Sequence, residues 1–538
     1  MTAPPRVATR PVTRPAPLAV ELPQPRPAVA PGDTRTDRVL RAALLAVALA
    51  FVACYLAIAF ARFGYPYQLE WLEGGVLQHV ARVLHGQSLY GPPSLRFTPY
   101  IYTPLYYVVG AGASRVLGLH LSTLRLVSIA ASLVSLGAVY RLVWLETRNR
   151  WAAVVAAGAL AATFRLSGAW FDLARVDSLF LALLLVGLLA VRRTTTVRGA
   201  ALAGLVLAAA YFTKQSALVP SLVVLPFLWR RDRRLACAYG AALGGALVAT
   251  TLVLDGATGG WFSQYTLRLP GQHAVLRTEY VAFWTQDLLA PLGAAALVGA
   301  LGLVAFRRGD AGRFWLPVTA GLLFAGYSAR LHSGGYDNVL LPAYAGVALA
   351  VGLGLHALTR PGLVPLPRAA ARVVLVAVLV MFAGLIYNPW RQLPSASAAP
   401  NGDRLVADLA RLPGPVYLPS QSWLLDRARP GTPANAQSAA IDDILRGHVR
   451  GSNRTVARAL RTAVAERRFG SIVVDSPSVF SYLPKDTKRY YCEVESLPRR
   501  DRLWPVTGTH TAPAQVWMPR GPTTTCRNDG VHWQLHGL

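Results

Sequence analysis

The chain has 538 residues, 53% of them hydrophobic and only 15% charged, with a mean hydropathy of +0.37. That balance excludes an ordinary soluble domain and points to a protein that crosses a membrane several times. The net charge of +28 would indicate nucleic acid in a soluble chain, but here arginines cluster between apolar runs, where they set topology, so nucleic acid is not expected as a partner.

Residues 1–37 are rich in Pro and Arg and lack an apolar core. They read as a disordered basic tail without a secretory cleavage site, which makes the first apolar run, 39–61, an uncleaved anchor. Just beyond it, QLEWLEG (68–74) sets Glu70 and Glu73 one helical turn apart. Carboxylates spaced i, i+3 share one face of a helix. Membrane insertion needs no such pair, so it is the first candidate for chemistry. A stretch rich in Tyr, Pro and His follows, and then an apolar segment, Pro104–Leu119, able either to span or to lie in the interface. Further apolar runs occupy 124–144, 151–170, 178–191, 199–213, 216–229, 235–254, 286–306, 314–329, 339–358 and 373–388.

Charge decides how these runs thread. With the N-terminal tail cytoplasmic and Pro104–Leu119 interfacial, Arg148 and Arg150, Arg192 and Arg193, Arg230 to Arg234, Arg307 and Arg308, and Arg368 and Arg372 all face the cytoplasm. Letting Pro104–Leu119 cross would reverse every later cluster, against the positive-inside rule. The expectation is therefore an all-α membrane domain of eleven spans over 38–390, with a first external loop at 63–123. This threading gathers Glu70, Glu73, His79, Asp172, Arg175, Asp177, Lys214, His332, Tyr336 and Asp337 on the non-cytoplasmic face.

Residues 391–538 follow on that face and are more polar. PVYLP (415–419) and SIVVDS (471–476) read as strands, and 403–412 and 456–469 as amphipathic helices, the pattern of a small α/β domain. It carries no phosphate loop, metal cluster or nucleophile elbow, so its expected work is to pack on the membrane part and shape the acceptor's approach. Of four cysteines, Cys54 and Cys237 lie in apolar runs, while Cys492 and Cys526 have a disulfide open to them if this part meets an oxidising compartment.

Asp177 opens the run from Ser178 in WFDLARVDSLF (170–180). An ionisable group at a span end facing a vestibule is a functional candidate, although Asp also caps helices. Taken together, EWLEGG (70–75), HGQSLY (85–90), YTPLYY (102–107), LRLVS (124–128), ARVDSL (174–179) and NVLLPAYAGVAL (338–349) resemble, in order and sidedness, the GT-C class of membrane glycosyltransferases that use polyprenyl-phosphate sugars. The likeness is strongest to bacterial relatives of protein O-mannosyltransferases and of the transferase that adds aminoarabinose to lipid A, and it covers about residues 40–390. One departure is that the relatives usually carry adjacent Asp-Glu before the glycine, whereas here the second acid stands three residues back.

The resemblance implies inverting transfer of a sugar from a polyprenyl-phosphate donor to a glycan, lipid or protein hydroxyl on the outer face of the cell membrane. Such a displacement needs a base for the acceptor and positive charge for the departing phosphate. Glu70, with Glu73 as the alternative, is the expected base, and Asp177 orients the acceptor or helps hold a cation. Arg175 and Lys214 are the expected phosphate ligands, although Lys214 also sits where a lysine snorkels to the interface. Tyr102 or Tyr106 is placed to touch the sugar phosphate, and His332 and Asp337, in ARLHSGGYDN (329–338), to form a sugar or metal edge. A divalent metal is optional, with Glu73, Asp177 and His332 its candidate ligands. The competing readings are a lipid-linked sugar flippase, which the scarcity of mid-span charge and the lack of a visible repeat disfavour, and a non-catalytic assembly protein.

Overall fold

The computed structural model describes residues 34–360, 362–432, 434–475 and 482–527. Most of residues 1–37, the expected tail, lies outside them, as does Ser476 of the predicted strand.

The chain is mostly helical. Helix α1 (Arg35–Phe63) starts on a capping box, in which Thr34 and Asp37 satisfy each other's end of the first turn. It is followed by two short helices, α2 (Glu73–Leu84) and α3 (Leu105–Leu117), and then by α4 (Leu121–Thr147), α5 (Arg150–Ala162), α6 (Val176–Arg193) and α7 (Val197–Thr213). The predicted run 151–170 stays helical only to Ala162 and continues in turns, with positive φ at Gly168 and Ala169. The run 216–229 is broken into α8 (Leu218–Leu222) and α9 (Leu225–Arg231), the latter opening on Pro226. Then come α10 (Arg233–Thr258), α11 (Glu279–Ala305), α12 (Gly309–Arg330), α13 (Leu341–Thr359) and α14 (Arg368–Gly384). Among the described residues, α1, α4, α10, α11 and the helical stretch Asp337–Thr359 are long and apolar enough to cross a membrane.

Burial shows how these helices sort. Stretch Asp337–Thr359 is almost wholly buried and forms the axis of the bundle, whereas α10 is apolar yet little buried. Val248, Leu252 and Val253 on α10, Phe60 on α1, and Val373 and Val380 on α14 all face outward. Apolar helices with apolar outer faces are stable in lipid and not in water, so the chain is a membrane protein. Small residues let the axis pack closely: a Cβ at Gly354 would lie 1.9 Å from the Val298 carbonyl oxygen and one at Gly352 2.6 Å from Val143.

The C-terminal part adds α15 (Ala398–Arg411), β1 (Val416–Tyr417), α16 (Ser438–Arg446), α17 (Ser452–Ala465), β2 (Ser471–Val474), β3 (Tyr491–Ser496) and β4 (Gln515–Pro519). The sheet order is β1-β2-β4-β3. The β1–β2 pair is parallel, which demands the helical crossover through α16 and α17, and the others are antiparallel. Cys492 in β3 and Cys526 form a disulfide. Strands β3 and β4 and helix α16 go beyond the elements legible in the sequence.

Loop 64–72 is gripped between bundle and C-terminal part. Trp423 donates from Nε1 to Gln68 Oε1 (3.0 Å), Tyr67 donates to Asp403 (2.5 Å), and the Leu69 carbonyl accepts from the Val506 and Thr507 amides at 2.8 and 3.0 Å. Gly74 is required here, because a Cβ would lie 1.9 Å from the Trp423 ring.

Candidate active site

Glu70 and Glu73 do not share a helix face as the spacing predicts. Glu73 is the first residue of α2, while Glu70 lies before the helix in an extended bridge with Thr507. Their carboxylates therefore meet different arginines. Glu73 accepts from Arg125 Nε (3.0 Å) and Nη2 (2.7 Å) and from the Leu69 and Ala174 amides (2.6 and 2.7 Å). Burial alone would raise its carboxyl, but Arg125 and the two amides hold it below the usual carboxylate range. With every lone pair engaged, Glu73 is a cross-link between the loop, α4 and the segment before α6.

Glu70 is less fully engaged. Its Oε2 accepts from Arg175 Nη1 (2.9 Å) and the Leu72 amide (3.1 Å), and its Oε1 is buried with no hydrogen-bond partner among the described residues. Burial pushes this carboxyl up to about 7, against the pull of Arg175, and the nearby Glu73 charge adds to the rise. Arg175 also donates from Nη2 to Tyr102 Oη (3.0 Å). A second pair lies close by: Lys214, the residue that ends α7, donates to Asp177 Oδ1 at 2.6 Å, and Asn338 Nδ2 donates to the same oxygen at 2.9 Å. Asp177 Oδ2 is likewise buried without a partner among the described residues. Asp177 makes no cap hydrogen bond at the start of α6, so the capping reading does not hold.

These groups back onto a cavity of about 410 Å³, within the range of small-ligand sites. Tyr102, Lys214, His332 and Asn338 line it, with Asp442 and Asp443 of α16 on the C-terminal side. Glu70, Arg175 and Asp177 stand one side chain behind: Trp71 and Leu72, which follow Glu70, line the wall, as do the hydrogen-bond partners of the other two. His79 orders the same wall without facing it. Its Nε2 accepts from the Tyr100 amide (2.9 Å), so its Nδ1 carries the proton donated to the Gly75 carbonyl (2.7 Å), and burial pushes the imidazole down to about 4.

Three expected contacts fall elsewhere. Tyr106 is buried against α4, donating to the Leu124 carbonyl (3.0 Å), because its position on α3 faces the bundle. Asp337 turns outward to Arg330 (3.3 Å), which also holds Asp287 (2.9 Å). Glu73, Asp177 and His332 do not converge, and the ammonium of Lys214 occupies the cation position beside Asp177; among the described residues no group of three or more acidic, His or Cys side chains is arranged to hold a metal. Asp172 is bound bidentately by Arg62, both contacts at 2.6 Å.

Sequence reasoning gave no role to Arg62, Arg125, Asn338, Asp443 or Gly508, although Arg125 and Asn338 lie in the motifs LRLVS and NVLLPAYAGVAL. Arg62 and Arg125 carried a usable signal, since a cation within or at the end of a spanning run demands a partner. Gly508 carried none. It lies at φ +77° over the acid, and a Cβ there would stand 3.1 Å from Glu70 Oε1 and 2.9 Å from Trp71 Cδ1. Gly508→Ala is expected to cost about 1–2 kcal/mol from the backbone alone. It is also expected to lower specific activity more than it lowers the folded fraction, because the added methyl displaces the carboxylate. Thermal unfolding and turnover on one purified preparation separate the two effects, and equal losses would remove Gly508 from the site.

No family model and no curated protein matches this chain. Two crystal structures of ArnT from Cupriavidus metallidurans do resemble it. The form bound to undecaprenyl phosphate aligns over 89% of this chain and 99% of its own at 12% identity, with a TM-score of 0.58. The apo form aligns over 87% and 97% at 15% identity, with a TM-score of 0.51. The chain thus shares the fold of these two ArnT structures.

Proposed function

We propose that the protein transfers a sugar from a polyprenyl-phosphate donor to an acceptor hydroxyl on the extracytoplasmic side of the membrane. The observation that carries this reading is the unpaired Oε1 of Glu70, whose other oxygen is held by Arg175, beside a cavity that Lys214 lines. The undecaprenyl phosphate of the similarly folded structure supports a lipid phosphate as the donor's anchor.

In this mechanism the acceptor oxygen attacks the anomeric carbon while its proton passes to Glu70 Oε1. The carbon–oxygen bond to phosphate breaks, the electron pair leaves with the phosphate, and Lys214 and Arg175 stabilise that charge. A single displacement inverts the anomeric centre. Asp177 holds Lys214 ready through the 2.6 Å contact. Tyr102 steadies Arg175.

Eleven crossings, an interfacial α3 and a cytoplasmic N-terminus accompany this reading. The Cys492–Cys526 disulfide favours an oxidising compartment for residues 391–538. A reporter fused after Arg231 is expected on the cytoplasmic side and one after Asp177 on the outer side; the reverse result would overturn the orientation.

The direct test follows release of polyprenyl phosphate from labelled polyprenyl-phosphate sugars in membranes holding wild type, Lys214→Met or Glu70→Gln. Lys214→Met is expected to raise KM for the donor by about 10–100-fold, the loss of a charge-assisted hydrogen bond. Normal release by both variants would end the assignment. The pH profile is a second check. Glu70 must be ionised to accept a proton, and with its carboxyl at about 7 kcat/KM is expected to fall about tenfold per unit below that pH and to level off above it. An acidic limb centred near 4.5 would instead indicate an ordinary, hydrated carboxylate as base.

A further inference from the structure

Asp443 takes no part in the chemistry above, yet it faces the same cavity. It lies on α16, in the C-terminal part, and its carboxylate is 24% exposed, with His273 Nε2 3.9 Å away. Its neighbour Asp442 is by contrast committed to Arg446 at 2.7 Å. The cavity rim is built from two loops joined by backbone pairing, Val275 with His332, and α16 is fixed to that rim by Arg446 on Ser333 and by the His273 contact to the Asp443 carbonyl (3.3 Å). His332 lines the same cavity with a buried Nδ1 that has no partner among the described residues. Tyr100, 2% exposed, also lines it, and its hydroxyl has no partner among the described residues. The cationic wall at Lys214 is thus faced by Asp443, His332 and Tyr100, groups able to bind hydroxyls.

We infer that Asp443, with His332, holds hydroxyl groups of the transferred sugar, so that sugar selection is made by the C-terminal part while the membrane helices hold the phosphate. This rests on the lipid-phosphate reading above. The sugar is joined directly to the phosphate, so a phosphate at Lys214 brings the ring into the cavity that Asp443 lines. A carboxyl group pairs well with sugar hydroxyls, since it accepts from two and, when protonated, donates to a third. Burial, reinforced by the adjacent Asp442, pushes the Asp443 carboxyl up to about 8, which leaves both roles open to it near neutral pH.

The test measures equilibrium binding to the purified full-length protein in micelles. The probes are bare undecaprenyl phosphate and undecaprenyl phosphate carrying glucose, mannose or arabinose. Wild type is expected to bind at least one sugar-bearing lipid about tenfold or more tightly than the bare lipid. Asp443→Ala is expected to erase most of that advantage while leaving affinity for bare undecaprenyl phosphate within about twofold, and Asp443→Asn, which keeps hydrogen bonding, to retain part of it. An unchanged advantage in Asp443→Ala overturns the inference, as does a wild type that gains nothing from any sugar. Loss of both kinds of ligand in Asp443→Ala and Asp443→Asn also overturns it, by making Asp443 a structural support. Failure of wild type to bind any lipid phosphate would instead refute the donor reading itself.

Discussion

Glu70→Gln is expected to lower turnover by about 10²–10⁴-fold, the contribution of a positioned general base. The amide has nearly the shape of the carboxylate and its carbonyl can still accept from Arg175 and the Leu72 amide, which now hold Oε2 at 2.9 and 3.1 Å. What it cannot do is take a proton at the position of Oε1. The substitution also leaves Arg175 without its carboxylate partner, so part of any loss would be misfolding. Specific activity must therefore be taken on protein that still elutes as a single species and still binds undecaprenyl phosphate. Donor KM should move much less than kcat, because Lys214 and Arg175 remain. Glu70→Asp, which withdraws the carboxylate by one methylene, should fall between the two. Purified Glu70→Gln turning over within about threefold of wild type would show that the acceptor proton goes elsewhere.

The difference between Glu70 and Glu73 could not be read from the sequence. Both acids were visible, because ionised groups beside spanning runs are conspicuous, and charge parity put Asp177 and Lys214 on their side. Which acid stays free depends on the loop conformation. That is set by contacts such as Trp423 on Gln68, 355 positions apart, and by the Thr507 bridge that lifts Glu70 off the helix. Periodicity sees only near neighbours, so it assigned both acids to one helix face. The same limit explains Asp443, one acid among many in a polar segment, which becomes distinctive only when α16 is seated on the cavity rim. The helices were easier to read. Apolar runs found their positions, while the break between α8 and α9 and the turn after α5 depend on local Pro and Gly geometry within runs that remain apolar throughout.

The second large effect concerns the fold. Glu73→Ala should destabilise the protein by about 3–5 kcal/mol, because it strands the Arg125 guanidinium, which is fully buried, without its counter-charge. It also leaves the Leu69 and Ala174 amides without an acceptor. Arg125→Met should cost a similar amount, since Arg125 donates as well to the Tyr65 and Tyr67 carbonyls, both at 2.6 Å, and so shapes the loop that presents Glu70. The double variant, Glu73→Leu with Arg125→Met, removes both charges and should recover much of the loss, because an apolar pair avoids the cost of one buried unpaired ion. Thermal unfolding in detergent of all the variants gives the coupling directly. If Glu73 were instead the base, Glu73→Gln would fold normally and lose turnover, whereas the cross-link reading requires stability to fall first and the activity of whatever remains folded to be largely kept. A thermally intact but inactive Glu73→Gln protein would therefore return the role of base to Glu73 and leave Glu70 as the partner that holds Arg175 in place.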